Sequence, residues 1–322
     1  MPKILVTGGA GYIGSHTVFL LLHEGYDVVV VDNLSKGYRH NVPEGMLREM
    51  SLRQTGELTE LCRVERFDAV VHFAAYIAVG ESTREPEMYF SNNVGGSLSL
   101  FEAMKSAGIR NLVFSSTAAV YGNPRSVPIP EDAPIDPVNP YGESKVMVER
   151  VLRWLDEHRG LRSIALRYFN ACGSEPGSGL GEEHEPETHL IPLLFRAVKT
   201  GEPITIFGDD YDTPDGTCIR DYIHVSDLAS AHIRALEWLM AGGASDRLNV
   251  GTGHGHSVLE VMRAVEEVTG KPVPYEIGER RDGDPAELVA NSDRLRERLR
   301  WKPNYTGLRD IVASAWDFAK ER

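Results

Sequence analysis

Residues 3–14 constrain this chain more than any other stretch. Lys3-Ile4-Leu5-Val6-Thr7 reads as a short apolar strand, Gly8, Gly11 and Gly14 follow in GxxGxxG spacing, and Ser15 to His23 reads as an amphipathic helix. A second strand, Asp27 to Val31, ends in Asp32. Glycines between a strand and a helix let the backbone approach a pyrophosphate at the helix N-terminus. An acid at the end of the next strand is placed to receive a ribose hydroxyl. The pattern predicts a βαβ unit built around a dinucleotide.

Tyr141 and Lys145 form a second feature. Pro140 opens a helical pattern there, and a spacing of four puts both side chains on one helix face. A phenol ordinarily titrates near pH ~10, and a neighbouring ammonium favours its ionised form. The pair therefore suits proton transfer. Between the two features, Arg110 to Ser116 reads as a strand ending in hydroxyls, followed by Thr117-Ala118-Ala119-Val120-Tyr121-Gly122. In an open parallel sheet such strand ends line the ligand crevice.

Composition narrows the class. At 322 residues, 42% apolar and 25% charged, the chain makes one large or two ordinary globular domains. A net charge of −13 argues against nucleic acid or an anionic membrane as the main partner. An anionic substrate must then meet local arginines. There is no signal peptide and no apolar run of about 18 residues, so a cytoplasmic protein is expected. Cys62, Cys172 and Cys218 are scattered, which fits a reducing compartment and no zinc spacing. Glu182, His184, Glu187 and His189 do not match a zinc pattern either; that segment reads as a solvated acidic loop, and no metal is expected. His72 reads as a packed core histidine. Pro86 to Ala107 reads as one long helix, and residues 124–140, with six prolines, as an irregular loop. Ser226 and Ser257 read as N-caps of the helices that follow them.

Together, the glycine turn, residues 114–122 and Tyr141-Gly142-Glu143-Ser144-Lys145 resemble the extended short-chain dehydrogenase/reductase family, and within it the UDP-glucose 4-epimerases. The resemblance runs from Lys3 to about Trp301. It implies an α/β fold: a Rossmann-type doubly wound parallel sheet with a smaller, interleaved α/β substrate domain. Residues 1–173 would bind NAD and residues 174–322 a UDP-sugar, with 218–240 packing back on the first domain.

The resemblance also implies roles. NAD would meet Gly8, Gly11, Tyr12, Ile13 and Gly14 at the pyrophosphate, and Asp32, Asn33, Leu34, Ser35, Lys36 and Gly37 around the adenosine ribose. Ser51 and Leu52 would lie at the adenine, and Phe73, Ala74, Ala75, Asn92, Ser115 and Tyr168 along the cofactor, with Tyr141 and Lys145 at the nicotinamide end. Ser51 departs from an acid usual at its place, and Ile77 from a lysine found in some members. Asp32 would repel the 2′-phosphate that Arg39 would attract, which favours NAD over NADP. UDP-sugar would meet Thr117, Tyr141, Phe169, Asn170, His189, Leu190, Thr205, Phe207, Arg220, Tyr222, Arg281 and Asp284. Phe207 is placed to stack on uracil, and Arg220 and Arg281 to clamp the diphosphate. The helices at 86–107 and 141–159 would support a homodimer.

The implied activity is reversible 4-epimerisation of UDP-galactose and UDP-glucose through a 4-keto intermediate, with NAD held tightly and regenerated in each turnover. Tyr141 would remove the 4-hydroxyl proton, Lys145 would lower the pKa of Tyr141, and Thr117 would relay the proton. The alternatives are a 4-epimerase of an N-acetylhexosamine, uronic acid or pentose UDP-sugar, a net dehydrogenase, or a non-catalytic NAD-binding regulator. Related dehydratases carry an Asp-Glu pair where this chain has Ala118-Ala119, which argues against dehydration. Leu288 matches a position that gates the sugar's 2-substituent, and a leucine there does not choose between sugars.

Overall fold

The computed structural model describes residues 1–281 and 284–322. Thirteen strands are described among them. They are β1 (Lys3–Thr7), β2 (Asp27–Asp32), β3 (Leu47–Glu49), β4 (Ala69–His72), β5 (Asn111–Ser115), β6 (Arg162–Tyr168), β7 (Asn170–Cys172), β8 (Ile204–Phe207), β9 (Ile219–His224), β10 (Asp246–Val250), β11 (Gly255–Ser257), β12 (Tyr275–Gly278) and β13 (Glu287–Leu288).

β1, β2, β4, β5 and β6 are nearly continuous apolar runs, as strands covered on both faces must be. They form a seven-stranded sheet in the order β10-β6-β5-β4-β1-β2-β3, paired in parallel throughout. Side chains alternate between its faces. Ile4 and Val6 join a core with Val18 and Leu21 of the Tyr12–His23 helix and Leu228 and Leu236 of the Val225–Met240 helix. Leu5 faces the opposite core, with Leu58, Leu100, Val148 and Leu152. Burying a leucine or valine of this kind contributes about 1.5–3 kcal/mol. The order reverses between β1 and β4, so their carboxyl ends open a crevice.

β10 comes from far down the chain, yet it pairs with β6 as the seventh strand. A second lobe packs the Leu190–Thr200, Val258–Thr269 and Leu308–Ala319 helices around Leu194, Val261, Val265 and Ile311. Its short strands are β7, β11 and β13 around β9, and the parallel pair β8–β12.

Three local expectations need correction. The 86–107 stretch is not one α-helix: Pro86–Tyr89 and Gly96–Ala107 are α, and Phe90–Gly95 between them is a π-turn. Such turns insert an extra residue and recur at functional sites. Here Asn93 is turned inward, accepting from the Tyr76 N–H at 2.8 Å and donating to the Ser144 hydroxyl at 3.0 Å. Second, His224 and not Ser226 caps the Val225–Met240 helix: its Nδ1 accepts from the Ser226 N–H. Ser257 does cap its helix, in a capping box with Glu260. Third, the 182–189 loop is only partly a solvated acidic turn: Glu185, Thr188 and His189 are exposed, while Glu182, His184 and Glu187 are half-buried and turn toward one another.

Candidate active site

The glycine turn lies at the sheet's reversal point. Gly8 has φ +76°, and a Cβ there would sit 2.5 Å from the Ala74 nitrogen. A Cβ on Gly14 would sit 2.2 Å from the Gly8 carbonyl oxygen. Both positions exclude a side chain because backbone crosses backbone. Gly11 is different: its nearest neighbour leaves ordinary contact distance, so one side of the turn stays open. The helix begins at Tyr12, earlier than the pattern suggested, so Ile13 and Gly14 belong to its first turn. Its N-cap, Gly11, has no capping side chain, which leaves the helix N–H groups for a ligand. The Tyr12 hydroxyl donates to the Gly173 carbonyl at 2.6 Å and ties this turn to the second lobe.

Asp32 is buried at the end of β2. Its carboxylate accepts from the Ala10 N–H at 3.0 Å and the Leu34 N–H at 2.8 Å. Burial raises its pKa, against those hydrogen bonds. The loop beyond is pinned: Asn33 accepts from the Ser35 N–H, and Gly37 lies against Ala10. Lys36 stands 3.9 Å from Glu81. Arg39 pairs with Glu49. Phe73 and Ala74 donate their N–H groups to the Thr7 carbonyl, so they and Ala75 continue the crevice wall from β4. Ser51 accepts locally from the Arg53 N–H, and Leu52 packs in the core beneath Gly96. Asn92 lies in the π-turn and donates to Asn93.

β5 and the Pro140–Arg159 helix bring the chemical groups together. Asn139 caps that helix by accepting from the Gly142 N–H at 2.8 Å. Lys145 is buried and donates from Nζ to the Ser115 carbonyl at 2.8 Å. The Ser115 hydroxyl shares a 2.8 Å hydrogen bond with the Tyr168 hydroxyl. Thr117 caps a short 3-10 turn, Ala118–Tyr121. Burial pushes the Lys145 ammonium down to about 7. Burial raises the Tyr141 phenol well above its ordinary value, and the Thr117 hydroxyl opposes that rise. The lowering of Tyr141 expected from Lys145 does not emerge, because desolvation dominates.

Sequence reasoning missed what lies beneath. Ser116 donates to Glu149 at 2.6 Å, and Arg167 grips both Glu149 oxygens at 2.9 and 2.5 Å. Arg167 also donates to the Tyr121 hydroxyl at 3.0 Å, and Tyr121 donates to Asn249 at 2.6 Å. The signal present was Glu149 one turn after Lys145 on the same helix face.

The second lobe presents the remaining expected residues. Asn170 pairs with Tyr222 across β7 and β9, and Phe169 packs with Val120 and Ala290. Arg220, nearly buried, pairs with Asp284. The Arg281 guanidinium lies 4.1 Å from the centre of the Phe207 ring, which is half-exposed. Thr205, on the same strand as Phe207, donates to Glu276 at 3.2 Å. Leu190 opens the Leu190–Thr200 helix, whereas His189 turns its Nδ1 toward Glu182 at 3.0 Å.

Known proteins match this arrangement along the whole chain. The model of the NAD dependent epimerase/dehydratase family matches residues 4–251. A UDP-glucose 4-epimerase of Lactobacillus helveticus is 48% identical over 99% of this chain and 97% of its own. The crystal structure of UDP-glucose 4-epimerase from Brucella ovis in complex with NAD superposes with a TM-score of 0.95 at 44% identity, covering 99% of this chain and 98% of that one. That from Bifidobacterium longum, in complex with NAD+ and UDP, gives 0.93 at 36% identity, covering 99% and 98%. A glycine turn, a buried strand-end acid and a Tyr/Lys helix at one crevice, on a chain alike end to end, make this protein a member of the NAD dependent epimerase/dehydratase family.

Proposed function

We propose that this protein is an isomerase, an NAD-dependent 4-epimerase of UDP-sugars, acting on the UDP-galactose/UDP-glucose pair. The observation that carries the reading is the meeting of Tyr141, Lys145 and Thr117 at the end of β5, on the same sheet edge as a glycine turn in which Gly8 and Gly14 leave no room for a Cβ.

The residues present fit NAD. Gly11 leaves the open side that a pyrophosphate needs, and the buried Asp32 carboxylate stands at the ribose position. Arg39 is engaged by Glu49 and Asp32 is acidic, which favours NAD over its 2′-phosphorylated form. When bound, NAD supplies the acceptor for hydride from C4 of the sugar and returns it to the opposite face. Tyr141 takes the proton of the 4-hydroxyl and gives it back at the same oxygen. Thr117 orients that hydroxyl and favours the phenolate. Lys145 places a titratable group between Ser115 and the Tyr141 ring, where its protonated form would oppose the rise that burial imposes on the phenol. Arg220 and Arg281 hold the diphosphate, Phe207 stacks on the uracil, and Asp284 fixes the Arg220 fork. Asn170, Tyr222, Phe169 and Leu190 complete the sugar-nucleotide wall. Anchoring the nucleotide leaves the hexose free to present either face, so remote binding serves the reacting carbon.

We also read the protein as a cytoplasmic homodimer. Cys62, Cys172 and Cys218 are free thiols. Leu98, Met147 and Trp154 are exposed on the Gly96–Ala107 and Pro140–Arg159 helices, where a partner's helices would cover them. Among the described residues, no helix is long and apolar enough to cross a membrane.

The test is to incubate the purified protein with UDP-galactose, without added cofactor, and assay UDP-glucose. Turnover is expected. Absence of turnover with and without added NAD would overturn the galactose/glucose assignment.

A further inference from the structure

Four side chains of the inter-lobe segment converge on one another. Glu182, His184, Glu187 and His189 each offer a ligand atom within 4.8 Å of the others. The two imidazoles present Nδ1 to one another at 3.3 Å. Glu182 Oε1 lies 3.6 Å from His184 Nδ1 and 3.0 Å from His189 Nδ1. Glu187 lies 3.4 Å from His184 Nδ1 through Oε2 and 3.3 Å from His189 Nδ1 through Oε1.

We propose that these four residues bind one tetrahedral divalent transition-metal ion, with zinc as the best match. Zinc binds imidazole nitrogen and carboxylate oxygen at about 2.0–2.2 Å, so the edges of its tetrahedron measure about 3.3–3.6 Å. With Glu187 ligating through Oε2, the separations of 3.3 Å between the imidazoles, 3.6 and 3.0 Å from Glu182 to them, and 3.4 Å from Glu187 to His184 lie around that edge. Two nitrogens and two carboxylates suit zinc better than calcium or magnesium, which take oxygen.

Three further observations support the site. The Glu182, His184 and Glu187 side chains are only 9%, 18% and 16% exposed. Drawing two carboxylates out of water together needs positive charge among them. The Glu187 carboxylate is also pre-oriented: its Oε1 accepts from the Thr188 N–H at 2.7 Å and the His189 N–H at 2.8 Å, which leaves Oε2 toward His184. Backbone donors that orient a ligating carboxylate are the usual outer shell of a metal centre. Finally, the His184 ring meets the Tyr12 ring edge-on at 6.3 Å. An ion here would staple the crossing segment to the helix that opens at the glycine turn, and to the Leu190–Thr200 helix that starts at His189.

The spacing Glu-x-His-x-x-Glu-x-His is unlike a zinc-finger pattern, and the loop alone brings the four groups together. The competing arrangement is a set of imidazolium–carboxylate pairs that holds no ion.

The experiment strips the full-length protein with a chelator, removes the chelator by gel filtration, and titrates it with Co2+ alone. Expected are one ion per chain, the intense visible absorption of tetrahedral Co2+, and its loss when Zn2+ is added. His184→Gln is expected to abolish the band, and Glu187→Gln to weaken binding by at least about 10-fold. His254→Gln, in an exposed turn, retains it. A wild-type protein with no band, or a band that persists in His184→Gln or vanishes in His254→Gln, would overturn the site. Should His184→Gln fail to fold, the wild-type spectrum and the Glu187→Gln titration decide.

Discussion

Lys145 donates to the Ser115 carbonyl at 2.8 Å, while its Nζ stands 5.9 Å from the centre of the Tyr141 ring. The Lys145 amine is thus anchored to β5 rather than to the Tyr141 phenol. Lys145→Met is expected to reduce kcat by about 10²- to 10⁴-fold, the range of a lost acid–base contribution. It also has a pH signature. The folded-state pKa, about 7, lies below the ordinary 10.5. Between those values the unfolded chain holds the proton that the folded chain has released, so stability rises with pH across that window. His189, raised to about 10, works in the opposite direction over the same range, so the reading is the difference: between pH 7 and 10 the urea midpoint of the wild type should gain on that of the variant.

Tyr141→Phe removes the proposed proton acceptor and little volume. A fall in kcat of about 10²- to 10⁴-fold is expected, with NAD still co-purifying. Near-wild-type turnover would remove Tyr141 from the chemistry.

Gly14→Ala forces a Cβ to within 2.2 Å of the Gly8 carbonyl. The turn must open, so the variant should purify without NAD. Absorbance of the supernatant after heat denaturation reads this directly, and stoichiometric NAD would contradict the cradle.

Glu149→Gln leaves Arg167 charged and unpaired beneath the site. Both side chains are almost fully buried, at 5% and 2% exposure. Breaking such a pair from one side costs about 3–5 kcal/mol. Denaturant unfolding should show that loss, and activity should fall with it because the glutamine amide puts a donor NH2 where one carboxylate oxygen accepted from Ser116 or Arg167 beside Thr117.

His16, His72, His224 and His232 are buried and neutral, with pKa values lowered by burial from 6.5 to about 4, 3, 3 and 4. As pH falls below 6.5 the unfolded chain takes up these protons first, so stability is lost toward pH 4. Each contributes up to about 1.4 kcal/mol per pH unit. His232 donates from Nδ1 to the Leu228 carbonyl, and its Nε2 has no partner among the described residues. His232→Leu should therefore be well tolerated at pH 7 and should flatten the acid slope measured by urea titration between pH 6.5 and 4.5.

Local patterns alone were enough to read the inner strands of the central sheet and the ligand crevice between them, while the places of β3 and β10 at its edges were not legible. Short apolar runs at 4–6, 28–31 and 112–114, rich in β-branched residues and bounded by turn residues, read as strands buried on both faces, and Gly8 and Gly14 stand where no Cβ fits. The Tyr141/Lys145 pair was legible for the same reason: four residues are one helical turn. Tertiary structure decided the rest. The ionisation of Tyr141 depends on how deeply the folded chain buries it, which spacing does not reveal. The π-turn that faces Asn93 inward follows from packing against Ser144. Glu149, Arg167, Tyr121 and Asn249 lie on four separate elements, and only folding makes them one network. Glu182, His184, Glu187 and His189 are neighbours in sequence, yet their convergence depends on a loop held between two lobes. Local periodicity carries the backbone; desolvation and contacts between distant segments carry the charge states and the buried polar network.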